Sequence, residues 1–164
     1  MTTENAWFRN IVIPEPNPPT EAEVWFKKKC QEERIPFLPL YQDGPSTLST
    51  VVEFRNGRSQ KVFVRFPADA HFSLFRIEIF SVCWEGIEPP DIHKMLGVMS
   101  DIVEPAGGWR FLRKDTGYQI LFFIEIAFPP EPPAFEDFKK AVFMVGTESD
   151  KAEMALGFDD IDCH

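Results

Sequence analysis

The chain has 164 residues, 44% of them hydrophobic and 26% charged, with a formal charge of −9 and a pI near 4.8. That length suits one domain around one buried core, and the composition is that of a folded globule rather than a disordered chain. The acidity argues against nucleic acid or a membrane surface as partner, because both need clustered Lys and Arg to replace counterions or meet anionic headgroups.

Residues 1–19 read as an arm, with Trp7, Phe8 and Ile11 to Ile13 followed by Pro14, Pro16, Pro18 and Pro19. That proline spacing prevents a helix and stiffens the segment. Thr20 then opens a first helix as N-cap, with Glu23 in capping-box position and Ala22, Trp25, Phe26 and Cys30 as its apolar stripe. A capping box satisfies two free backbone N–H groups reciprocally. Pro36 and Pro39 end that helix.

Leu48 to Phe66 reads as a hairpin around Asn56-Gly57. A two-residue loop would throw Val62 and Val64 onto the face opposite Val52 and Phe54. An odd loop, Arg55-Asn56-Gly57, instead sets Leu48, Thr50, Val52, Phe54, Val62, Val64 and Phe66 on one face. Phe75 to Trp84 adds a third strand, with Phe75, Ile77 and Ile79 facing one way and Arg76 and Glu78 the other.

Pro89-Pro90 introduces a second helix, where Ile92, Met95, Leu96, Met99, Ile102 and Val103 fall at helical spacing before Pro105. Asp91 suits its start as a capping residue. The next hairpin runs from Trp109 through Lys114-Asp115-Thr116-Gly117 to Phe128, and it pairs Phe111 with Ile120 and Trp109 with Phe122. Ile120, Phe122, Ile124 and Ile126 then form a core face. On the opposite face Leu112, Leu121 and Phe123 are apolar as well, where a strand with one solvated side would carry polar residues. Either the last helix covers that face or another molecule does, so these three are the candidate partner-binding residues and homodimerisation is expected. Replacing Leu121 and Phe123 should then cost little stability.

After a rigid Pro129–Pro133 connector, Phe135, Phe138, Val142, Val145, Ser149, Ala152 and Leu156 make the stripe of a last helix that Gly146 could break. The organisation is a proline-rich arm at 1–19, a single α+β domain at 20–157 and an acidic tail at 158–164. Its antiparallel sheet carries flanking helices in the order α-β-β-β-α-β-β-α.

No phosphate-binding glycine loop, nucleophile elbow or zinc-helix motif occurs. His71 and His93 lack a Cys or carboxylate at ligand spacing. Asp159, Asp160, Asp162, Cys163 and His164 read as a flexible acidic tail, since a metal site needs fixed geometry. The pairs Asp91 with Asp101 and Glu136 with Asp137 sit at exposed helix positions, where nothing raises a carboxyl pKa toward neutrality. Cys83, beside Trp84, has no base to stabilise a thiolate. The expectation is a non-enzyme without metal or organic cofactor.

The N-terminus shows no charged segment leading into an apolar run, and no stretch approaches the ~20 apolar residues that span a bilayer. Cys30, Cys83 and Cys163 leave one thiol over in any disulfide scheme, which suits a reducing compartment. The expected location is the cytoplasm. With 17 Phe and 15 Pro, the chain either fills a Phe-rich core or keeps surplus apolar surface for a partner.

The element order, a size of 18.9 kDa and the acidic pI together resemble the type III secretion chaperone-like fold, and within it the bacterial YbjN-like proteins, over about residues 20–156. The resemblance implies a non-enzymatic α+β domain, often dimeric, of a kind whose secretion members bind extended effector segments along apolar patches. It carries over no functional residue. The function expected is a chaperone-like, cytoplasmic protein-binding module that takes a protein segment on an apolar surface. The alternative is a small-ligand binding protein or atypical enzyme with a pocket between sheet and helices near Trp84, Trp109 and Tyr118. A third reading is a structural subunit of a larger assembly.

Overall fold

The computed structural model describes residues 19–40, 45–67, 75–100, 107–128 and 132–157. Residues 1–18 of the expected arm at 1–19, with His71, Asp101, Ile102, Val103, Pro105, connector residues 129–131 and the tail at 158–164, lie outside the described residues.

The elements run α1 (Glu21–Glu33), β1 (Leu38–Leu40), β2 (Ser46–Glu53), β3 (Ser59–Phe66), β4 (Phe75–Gly86), α2 (Ile92–Ser100), β5 (Gly108–Lys114), β6 (Gly117–Phe128) and α3 (Phe135–Leu156). The fold is α+β, with the strands forming one antiparallel sheet in the order β1-β2-β3-β4-β6-β5. The three-residue β1 is an addition to the expected order. Its Leu38 and Leu40 pair with Ser49 and Thr47 in the stretch where Pro36 and Pro39 had promised only the end of a helix.

Both hairpins have the expected register. Leu48 pairs with Val64 and Thr50 with Val62, and Phe54 closes the turn by donating to the Arg58 carbonyl at 2.9 Å. Gly57 holds φ at 83°, a left-handed conformation that glycine adopts without a Cβ clash. In the second hairpin Phe111 faces Ile120 and Trp109 faces Phe122, but Lys114 already pairs with Gly117, so only Asp115 and Thr116 form the loop.

α3 crosses one face of the sheet as a continuous helix, and all seven residues of its stripe are buried. Gly146 does not break it. A Cβ there would lie 3.1 Å from the Val52 side chain, so the glycine allows helix and strand β2 to approach closely. The core joins α1 and α3 to the inner face of the sheet, with Phe26, Val62, Val64, Ile77, Ile79, Phe122 and Val145 fully enclosed. Phe26 knits the layers, its ring 4.7 Å from Phe138, 4.8 Å from Phe37 and 5.4 Å from Phe66.

Two helix starts differ in instructive ways. Thr20 accepts the Glu23 N–H at 3.2 Å, yet the Glu23 carboxylate does not return to the cap. It is buried instead, accepting from Lys27 at 2.6 Å and from the Ser46 hydroxyl at 2.7 Å, so it ties α1 to β2. Asp91 caps α2 by accepting from the His93 and Lys94 N–H groups at 2.8 and 3.2 Å. Those Lys94 and His93 bonds hold its carboxyl below the ordinary range. α2 itself buries no residue. Met95 and Val98 lean on the core while Ile92 and Leu96, 58% and 55% exposed, face outward.

Candidate functional site: the open face of the sheet

Alternation divides the sheet into two chemically distinct faces. On the side away from α3, Phe63 faces Phe80 and Phe80 faces Phe123 in register across β3, β4 and β6. Phe63 and Phe80 stack with centroids 5.2 Å apart. Arg65 lies over the Phe80 ring at 4.6 Å, Arg110 over the Phe123 ring at 3.9 Å and Lys61 beside Phe63 at 5.8 Å. Each ring thus offers its electron-rich face to a cation.

A charged row runs alongside. Arg65 reaches Glu78 at 3.4 Å, and Arg76 bridges Glu78 and Glu125 at 3.2 and 3.1 Å. No described helix packs on this band. α3 lies against the opposite face, so it is not the cover that Leu112, Leu121 and Phe123 were expected to need.

The structure brings those three residues to the open face at the β5–β6 end of the sheet, in different environments. Leu112 is 40% exposed, Phe123 is half-buried under Arg110, and Leu121 is only 6% exposed, opposite Val82 and Arg110. Leu121 stands outside the core cluster although it is buried. This corrects the expectation that replacing it would cost little, because the substitution would remove packing as well as contact surface. Phe63 and Phe80 belong to the same band and were not singled out from the sequence. Their signal was available, since each alternates with core residues: Phe63 between Val62 and Val64, Phe80 between Ile79 and Ser81.

The three residues expected to form a pocket all lie on the inner face, but only Trp109 lines a cavity. Trp84 sits in the core at a bulge that turns both it and Cys83 inward. Tyr118 stacks on Phe111 at 5.5 Å, and Trp109 packs edge-on against Phe122 at 5.0 Å. A cavity of about 300 Å³ does open between α2, α3 and β5, lined by Lys94, Gly97, Val98, Trp109, Glu148, Lys151, Ala152 and Ala155. Trp84 and Tyr118 do not line it.

No protein-family model matches the chain, and no curated protein matches it in sequence.

A polar cluster lies between α3 and the inner face, where sequence alone suggested only apolar stripe. Arg58 pairs with Asp150 at 2.6 Å and with Glu153 at 3.4 Å. Gln60 donates to Glu153 at 2.9 Å and to the Ser81 hydroxyl at 2.8 Å, which in turn donates to the Lys61 carbonyl at 2.7 Å. These groups sit on the sheet rather than in the cavity, so their role is to fix α3 against β3 and β4. Among the described residues, no three His, Cys, Asp or Glu side chains come together as metal ligands.

Cys83 and Cys30 are free and buried. Burial pushes both thiols up to about 12, with Glu33 adding to the effect at Cys30 and Glu153 at Cys83. The folded state therefore favours the neutral thiol. That contribution is complete below the unfolded value of ~8.5 and is lost as pH rises from there through the folded value. Iodoacetamide at pH 8 is expected to leave both native cysteines unlabelled, as read by peptide mass mapping, and to label both in urea. Rapid native labelling of Cys83 would mean that its strand end opens to solvent.

Proposed function

We propose that this domain is a non-enzymatic, chaperone-like protein-binding module of the cytoplasm, and that it receives a partner chain on the open face of its sheet. One observation carries the reading: Phe63, Phe80 and Phe123 form an aromatic band that no described helix covers, each ring beside a cation. Aromatic and Arg side chains are the groups that most often anchor protein contacts. The band favours a segment with apolar side chains interspersed with Asp or Glu, since its rings take the former and Lys61, with no ion pair among the described residues, takes the latter, while Arg65 and Arg110 already meet Glu78 and Glu125 at 3.4 and 4.0 Å. The α+β architecture and the resemblance to the secretion-chaperone and YbjN-like proteins support the same reading, and homodimerisation through Leu112, Leu121 and Phe123 is proposed on this same face.

The test uses an unfolded acidic chain, reduced and carboxymethylated α-lactalbumin, with binding followed by fluorescence anisotropy and self-association by light scattering. Leu112→Ser and Phe123→Ser are the cleaner probes because Leu121 is buried. Each is expected to weaken binding by roughly tenfold or more, as loss of an anchoring contact does. Unchanged binding in both variants, together with an unchanged light-scattering mass, would remove the open face as a contact surface.

A further inference from the structure

The cavity between α2, α3 and β5 is separate from the open face, since its lining comes from the helix side of the molecule. Its walls are apolar and small: Val98 and the Trp109 ring, with Gly97, Ala152 and Ala155 withholding bulk. A Cβ built on Gly97 would meet nothing within 4 Å. The Trp109 indole N–H is shielded and has no hydrogen-bond partner, so the ring and not the N–H is what a ligand would touch. At about 300 Å³ the space is at the lower end of small-molecule sites.

The rim holds two ammonium groups and one carboxylate. Lys151 pairs with Glu148 at 2.6 Å, whereas Lys94 has no ion pair among the described residues. The Lys94 ammonium lies 4.0 Å from where a Gly157 Cβ would stand, at the end of α3 where Gly157 caps the Glu153 and Met154 carbonyls. That helix end carries partial negative charge, which attracts the Lys94 ammonium and disfavours a multiply charged anion such as a phosphate. One net positive charge above an apolar floor selects a monoanion with a compact apolar body.

We propose that this cavity is a binding site for a small carboxylate, with a flat or branched apolar body against Trp109 and Val98 and its carboxylate between Lys94 and Lys151. The site goes beyond the protein-binding reading and does not depend on it.

The experiment titrates the isotope-labelled full chain by NMR with benzoate and hexanoate as probes, and with benzamide, benzylamine and inorganic phosphate as controls. Benzoate is expected to shift Gly97, Val98, Ala152, Ala155 and the Trp109 indole, and to bind roughly fivefold tighter than benzamide, the advantage an exposed ion pair confers. Lys94→Gln should cut that advantage to about twofold on the same scale. Gly97→Leu fills the space and should abolish binding. If that variant fails to fold, Ala155→Leu reaches the same space from an exposed position on α3. Equal affinity for benzoate and benzamide, tighter binding of benzylamine or phosphate, or benzoate binding that survives in a folded cavity-filled variant would each overturn the proposal.

Discussion

Phe122→Ala is expected to destabilise the domain by about 3 to 5 kcal/mol in urea denaturation, with a steeper loss than any substitution on the open face. Phe122 is fully buried on β6, where it faces Ser81 on β4 and Trp109 on β5. The missing side chain of Gly107 leaves room for its ring, because a Cβ there would run into it. Truncation would thus open a void walled by backbone and aromatic rings, which cannot collapse to fill it. Phe123, the next residue, points to the other face and keeps part of its surface in water under Arg110. Phe123→Ala should cost about 2 kcal/mol less than Phe122→Ala. Equal losses would show that the sheet is buried on both sides and that the proposed contact face is part of a core.

Arg58→Ala is expected to cost about 3 kcal/mol, far more than an exposed ion pair, whose loss typically costs under ~1 kcal/mol. Its side chain is 20% exposed, while those of Asp150 and Glu153 are 9% and 5% exposed. Removing the guanidinium leaves two shielded carboxylates close together without the cation that neutralises them. Arg58→Lys keeps the charge but loses the two-pronged geometry, so its stability should fall between the wild type and Arg58→Ala. A loss below ~1 kcal/mol for Arg58→Ala would mean that water reaches the cluster and screens it like a surface pair.

Local rules made much of the fold legible. The alternation of Leu48 to Phe54 against Val62 to Phe66 admitted only an odd turn, and Gly57 supplied its left-handed residue. Phe135 to Leu156 kept one stripe for six turns, and the structure buries it throughout. The features that escaped depend on distant partners. Arg58 and Asp150 are 92 positions apart, so nothing near Asp150 signals that a charge on an otherwise solvated helix position is neutralised from the sheet. Placing β6 between β4 and β5 is a choice of edge that hairpin register does not determine. β1, with three residues and a central Pro39, is too short for a periodic signal. The open face was half legible: Leu112, Leu121 and Phe123 stood out because they broke alternation, whereas Phe63 and Phe80 were not singled out, because a lone outward Phe on each strand gains meaning only once the register sets the two side by side.

Among the described residues, all six strands precede α3 along the chain. During synthesis the β2–β3 and β5–β6 hairpins can form early, since their contacts are local. The β4–β6 pairing, from Phe75 with Phe128 to Gly86 with Tyr118, must wait for a long loop to close. Even then α1 can cover only part of the inner face, and the rest remains in water until α3 leaves the ribosome and lies down across it. The nascent chain therefore passes through a stage in which both faces of its sheet are sticky, one by design of the finished surface and one by delay. A lesion that slows docking of α3 should lower cellular yield more than an equally destabilising lesion in α1, because it prolongs that two-sided exposure.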